Sequence, residues 1–231
     1  MTVSQASTSA PTGAARRRPA RPRRQADIAE FRRKALIEAA LAQITVHGIA
    51  GSTLQRIAAA AGVTHGLIRH YFRGKGDLLV QAFKTLINEF HQALAADPGF
   101  ADSDPAVRLR ALVEVNFRPP VFQRERLAAW AAFWDAARTD GSIRAANRAF
   151  YAAYRRDVAA LLTAAGVAED SRLNVEAAAD GLIAVMDGVW LETTVDPDSF
   201  EVDRARRTCL QYLERMLPDT VQKRDDAVAR S

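Results

Sequence analysis

Apolar residues recur along this chain at intervals of three and four, and no stretch alternates convincingly as a strand would. Ile28, Phe31, Leu36, Ala39, Ala40 and Ile44 form a stripe on a helix predicted over 27–47 and closed by Gly48. Leu54, Ile57, Ala58 and Ala61 carry the period into a second, shorter helix. Ser52 stands where an N-cap belongs, and Gln55 lies three residues on, at the capping-box position. Gly62 ends this helix, because glycine reaches the left-handed backbone that a sharp exit requires. Val63 can plug the angle, and Thr64 can cap a third helix over about 65–72. Leu67, Ile68 and Phe72 hold that helix from one side, while His65, Arg69, His70 and Tyr71 are left to face outward.

A fourth helix, with Asp77 in its first turn, runs to about Ala96, where Asp97-Pro98-Gly99 interrupts the pattern. Further helices are predicted over 105–117, 122–139, 142–165, 173–195 and 200–217, with a Pro119-Pro120 break after the first. The expected fold class is all-α with about nine helices. Its parts are a disordered basic arm (1–26), a three-helix unit (27–80), a larger helical domain (81–217) and a flexible tail (218–231).

Two short helices joined by a tight turn, the second apolar on one side and basic on the other, form a helix-turn-helix suited to a DNA major groove. The run IAAAAGVTHGLIRHYFRGKGDLL resembles the DNA-binding signature of the TetR family of bacterial repressors. Ile57, Ala58, Ala61, Gly62, Val63, Thr64, Gly66, Phe72, Lys75, Leu78 and Leu79 fall on the pattern. Arg69 departs from it, as does Tyr71-Phe72 in place of a His-Phe pair; both departures resemble the choline-responsive repressors of glycine betaine synthesis. Thr64, His65, Gly66 and Arg69 are the candidates for base-edge contact, since Arg can bond guanine bidentately and Gly66 lets the helix come close. Thr53, Tyr71 and Lys75 are better placed for phosphates, Lys75 by family analogy, and His70 for either. Arg32, Arg33 and Lys34 near the start of the first helix could also reach phosphates.

The chain has 231 residues, 48% hydrophobic and 26% charged, with a net charge of +5. Six arginines and no acid fall within residues 1–26, which leaves the remainder close to neutral. The RRRPARPRR run is either a solvated tail or an arm that follows DNA phosphates. Cys209 is the single cysteine, so no intramolecular disulfide can form. No apolar run is long enough to cross a membrane, and a cytoplasmic location is expected. The four histidines make no HExxH, and GxSxG, GxGxxG and phosphate-loop patterns are all absent, so neither an enzyme nor a metal or cofactor site is expected. A ligand-free architectural DNA binder remains the other non-enzyme reading.

The larger domain carries all three tryptophans, with Trp130 and Trp134 on one helix face and Phe133 alongside. Asp187 lies three residues before Trp190. The segments Asn116-Phe117, WAAFW and DGVW resemble their counterparts in the choline-responsive repressors, and the resemblance runs from about residue 30 to 217. It implies a ligand set of Asn116, Phe117, Trp130, Phe133, Trp134, Asp187 and Trp190. A quaternary ammonium is held by aromatic faces and a carboxylate, which this set supplies; plain core packing is the competing reading, and Arg155 or Arg148 could neutralise Asp187. A drug or acyl compound, with an exporter or catabolic operon under control, is the alternative effector. Small residues Ala177, Gly181, Ala184 and Gly188, with Leu210, Leu213 and Leu217, suggest a homodimer through the last two long helices, with packing inside one chain as the alternative; a dimer would let two recognition helices read a palindromic operator. Ligand would then swing the fourth helix and change their separation.

Overall fold

The computed structural model describes residues 21–167, 174–198 and 201–217. The regions expected to be a disordered arm (up to residue 20) and a flexible tail lie outside the described residues. Nine α-helices and one 3-10 turn make up the described chain: α1 Arg21–Gly51, α2 Leu54–Ala60, α3 His65–Tyr71, α4 Lys75–Ala96, the 3-10 turn Pro98–Ala101, α5 Pro105–Val115, α6 Arg124–Thr139, α7 Gly141–Ala164, α8 Val175–Val195 and α9 Val202–Glu214. No helix among the described residues is long and apolar enough to cross a membrane.

Two local expectations are corrected. The helix predicted from Asp27 begins at Arg21, and two residues of its expected stripe lie in the open: Ile28 is 47% and Phe31 74% exposed. The buried stripe starts at Leu36 and continues through Ile37, Ala40, Leu41 and Ile44. Gly48, at φ 63°, interrupts the helix where closure was expected, and a further turn follows to Gly51. The N-cap of α2 is Thr53, whose hydroxyl oxygen accepts from the Arg56 N–H at 3.2 Å. Ser52 is instead fully buried and donates to the Gly48 carbonyl at 2.6 Å, stitching the kink. Gly62 takes φ 66° and turns the chain into α3, as its sequence position implies.

One hydrophobic cluster runs through both parts of the molecule. Ile57, Ile68, Leu78 and Phe83 connect the helix-turn-helix to α4, and Phe83 packs on Phe133 of α6 at 4.9 Å between ring centroids. α6 lies along α1 and is fastened at its first turns. The Thr45 hydroxyl meets the Glu125 carbonyl at 3.0 Å, and Arg126 bridges Glu38 of α1 (3.0 Å) and Glu89 of α4 (2.8 Å). Burial raises the Glu89 pKa, and the Arg126 charge opposes that rise.

Candidate DNA interface and effector pocket

α3 is fixed from behind by Ile68, which is fully buried, and by Phe72 just beyond its end. Thr64, His65, Gly66, Arg69 and His70 are all exposed on the opposite side. Tyr71 is half-buried with its ring edge-on to His70 at 5.1 Å. A side chain at Gly66 would meet nothing within 4 Å. Glycine inside a helix costs about 1 kcal/mol against alanine, and nothing among the described residues requires it there. Thr53 is exposed with its hydroxyl hydrogen still available, because the oxygen serves as acceptor in the cap.

Two of the cationic side chains expected near phosphates, Lys75 and Arg33, also make hydrogen bonds within the chain. The Lys75 ammonium donates to the carbonyls of Ile49 (2.6 Å) and Ala50 (3.4 Å), and so ties the start of α4 to the end of α1. Partial burial lowers its pKa. Arg33 is occupied as well: it donates to Gln81 at 2.8 Å and lies over the Phe72 ring at 5.5 Å. Lys34 faces Glu30 at 4.0 Å, and Arg32 is exposed.

In the larger domain, Asn116, Trp130, Trp134, Asp187 and Trp190 converge on one small aromatic box. Trp130 is its centre, with ring centroids 6.3 Å from Trp134, 6.1 Å from Trp190 and 5.5 Å from Phe150. The Trp190 indole N–H donates to the Asn116 carbonyl at 3.1 Å, and the Asn116 amide to the Leu112 carbonyl at 2.8 Å, which fixes the end of α5 against α8. Phe117 and Phe133 do not line the box. Phe117 is buried against Phe122 at 5.5 Å, and Phe133, one residue short of Trp134 on α6, turns to Phe83 in the core.

Four ring-bearing residues of the box were missed from sequence: Phe90 on α4 and Phe150, Tyr151 and Tyr154 on α7. The signal was there in FYAAY, three aromatics whose i, i+1 and i+4 spacing puts them on one side of a helix.

Asp187 receives the Tyr151 hydroxyl at 2.8 Å. Burial raises its pKa to about 6, against the opposing pull of the Tyr151 hydrogen bond and the Arg155 charge. Arg155 itself pairs with Asp180 at 2.6 Å and lies over the Tyr151 ring at 5.3 Å. The enclosed box holds only about 20 Å³ of free space, room for about one water. A wider cleft of about 480 Å³ adjoins it, and Trp134, Tyr151 and Asp187 belong to both spaces.

On α8, Ala177, Ala184 and Gly188 are exposed, but Gly181 faces α9, where a methyl group would overlap the Tyr212 hydroxyl. Leu213 and Leu217 are buried within the chain's own core, and Leu210 is half-buried. The leucine stripe expected to face a second copy therefore serves intramolecular packing first.

Residues 36–82 match the family of bacterial regulatory proteins of the tetR type, and residues 105–218 match the BetI-type transcriptional repressor C-terminal family. The HTH-type transcriptional regulator BetI 1 of Chromohalobacter salexigens is 32% identical over 191 residues, covering 81% of this chain and 91% of that protein. The BetI regulator of Pseudomonas aeruginosa PAO1 is 31% identical over 196 residues, covering 81% and 93%. Among solved structures, a protein of P. aeruginosa PAO1 assigned as a transcriptional regulator superposes with TM-score 0.68 at 30% identity, over 80% of this chain and 89% of that one. A regulator from Saccharomonospora viridis in complex with choline superposes with TM-score 0.70 at 21% identity, over 80% and 96%. These relatives are transcription regulators and not enzymes, and the chain belongs to the TetR family, with a C-terminal domain of the BetI type.

Proposed function

We propose that two copies of this chain bind a palindromic operator as a repressor, and that choline or a related quaternary ammonium compound releases them, controlling genes of glycine betaine synthesis in the cytoplasm. The observation that carries the effector reading is the box itself, in which seven aromatic side chains surround one carboxylate, Asp187. A permanently charged ammonium offers no N–H, so ring faces and a counter-charge are what can hold it. The S. viridis relative's choline is in keeping with this. The free space in the box is about 20 Å³, too small for the cation, which therefore needs the half-buried Trp134 and Tyr151 to move toward the adjoining cleft.

On the DNA side, Thr64, His65, Gly66 and Arg69 read base edges, Thr53 and Tyr71 hold phosphates, and His70 serves either. Lys75 reaches a phosphate after leaving the Ile49 carbonyl. The exposed small face of α8, with Leu191 and Val195, meets its twin in the dimer. Transmission has two routes. Phe90 in the box shares α4 with Lys75, and Trp130 shares α6 with the Thr45 and Glu38 attachments to α1. Movement in the box shifts both routes, so the recognition helices lose their spacing.

The test is to select duplexes from a random pool and titrate them with choline while following anisotropy. Two-fold symmetric sequences and release at millimolar choline are expected. Selected duplexes without symmetry would end the dimeric-operator reading, and an unchanged affinity would end the choline reading.

A further inference from the structure

A second cavity shares Phe90 and Tyr154 with the aromatic box but opens between α4, α5 and α7. It measures about 420 Å³, within the range of small-molecule sites. Unlike the box, it has a guanidinium in its lining. Leu94, Leu112 and Leu161 give an apolar wall, and Arg108 lies among them with its guanidinium over the Phe100 ring at 5.1 Å, while Asp157 and His91 also line the cavity. The Arg108 Nε is buried with no hydrogen-bond partner, and Arg108 makes no ion pair among the described residues. Asp157 and His91 stand exposed at the rim. The Tyr154 hydroxyl is also buried without a partner of hydrogen-bonding geometry, though Asn116 lies near it.

Buried N–H and O–H groups are seldom left unmatched, and a guanidinium fork fits a planar carboxylate bidentately. We propose that this cavity is a second ligand site, for an aliphatic carboxylate whose head group is held by Arg108 and whose tail lies on Leu94, Leu112 and Leu161. The two cavities thus take ligands of opposite charge. Because Phe90 and Tyr154 wall both, filling one alters the other.

Calorimetric titration of the full chain with octanoate tests this, with octylammonium and octanol as the cationic and neutral counterparts. Octanoate is expected to bind most tightly, and Arg108→Gln to weaken it by about tenfold or more while the thermal midpoint stays near that of the parent. Ala160→Trp, at an exposed lining position, should block octanoate by filling the mouth, and it decides the matter if Arg108→Gln does not fold. Absence of octanoate binding, equal binding of octylammonium, or octanoate affinity unchanged by either substitution would overturn the proposal. So would loss of octanoate binding in Trp134→Ala alone, which would put the molecule in the aromatic box.

Discussion

The Tyr151 hydroxyl donates to Oδ2 of Asp187 across 2.8 Å, and the pair forms the partition between the closed aromatic box and the open cleft. Burial holds the Asp187 pKa at about 6, so the empty protein takes up a proton there as pH falls through that value. A quaternary ammonium needs the ionised form. Choline affinity measured by calorimetry should therefore be flat above about pH 7 and fall toward tenfold per pH unit below about 6. Asp187→Asn should bind choline poorly at every pH.

The same shift has a stability sign. A carboxyl whose pKa is higher in the folded state than in the unfolded chain costs stability where it is ionised. That cost is absent below the ordinary carboxylate range and complete above about 6. Asp187→Asn should stabilise the ligand-free protein at pH 7.5, by on the order of 2 kcal/mol, with little effect at pH 4. Thermal unfolding at the two pH values checks it.

Tyr151→Phe removes the hydrogen bond that favours ionised Asp187. Its choline affinity should begin to fall at a higher pH than in the parent, a displacement that simple loss of packing would not produce. Matching profiles would show that the hydroxyl does not tune the carboxylate.

Arg69 and Lys75 should separate cleanly. Arg69→Ala is expected to remove about 1–3 kcal/mol of discrimination between operator and random duplex. Lys75→Ala should weaken both alike and, because its ammonium caps the end of α1, also cost about 1 kcal/mol of fold stability. Electrophoretic competition and urea unfolding give the two readings.

Arg126→Met cuts the bridge between α6, Glu38 and Glu89. Choline binding and operator binding should each persist, while the factor by which choline weakens operator binding shrinks. Glu89 is then half-buried without its counter-ion, which destabilises by about 1 kcal/mol, less than a fully buried pair because the site is partly exposed. Since burial raises the Glu89 pKa, acidification should recover part of that loss.

Helical period and glycine punctuation made the architecture readable: Gly62 and Gly48 bend the chain where their positions imply, both at positive φ. A stripe does not say where its partner stops, however: Ile28 and Phe31 continue the stripe of α1 yet are exposed, while the α6 attachments fall at Glu38 and Thr45. The tryptophans of the box were legible because an i, i+4 pair shares a face. Phe133 was not separable from them by type, and only the crossing of α4 decides that it meets Phe83. Gly181 shows the same limit, since a small residue marks close approach without naming the neighbour, here Tyr212.

The overhanging start of α1 has an energetic consequence. A short helical segment whose apolar side chains are exposed is marginal in water, so the turns carrying Ile28 and Phe31 are expected to open and close independently of the rest. Their amides should exchange with solvent far faster than those around Leu41. Any surface that captures this segment must first supply the order that the protein itself does not, and each such contact is weakened by that entropy.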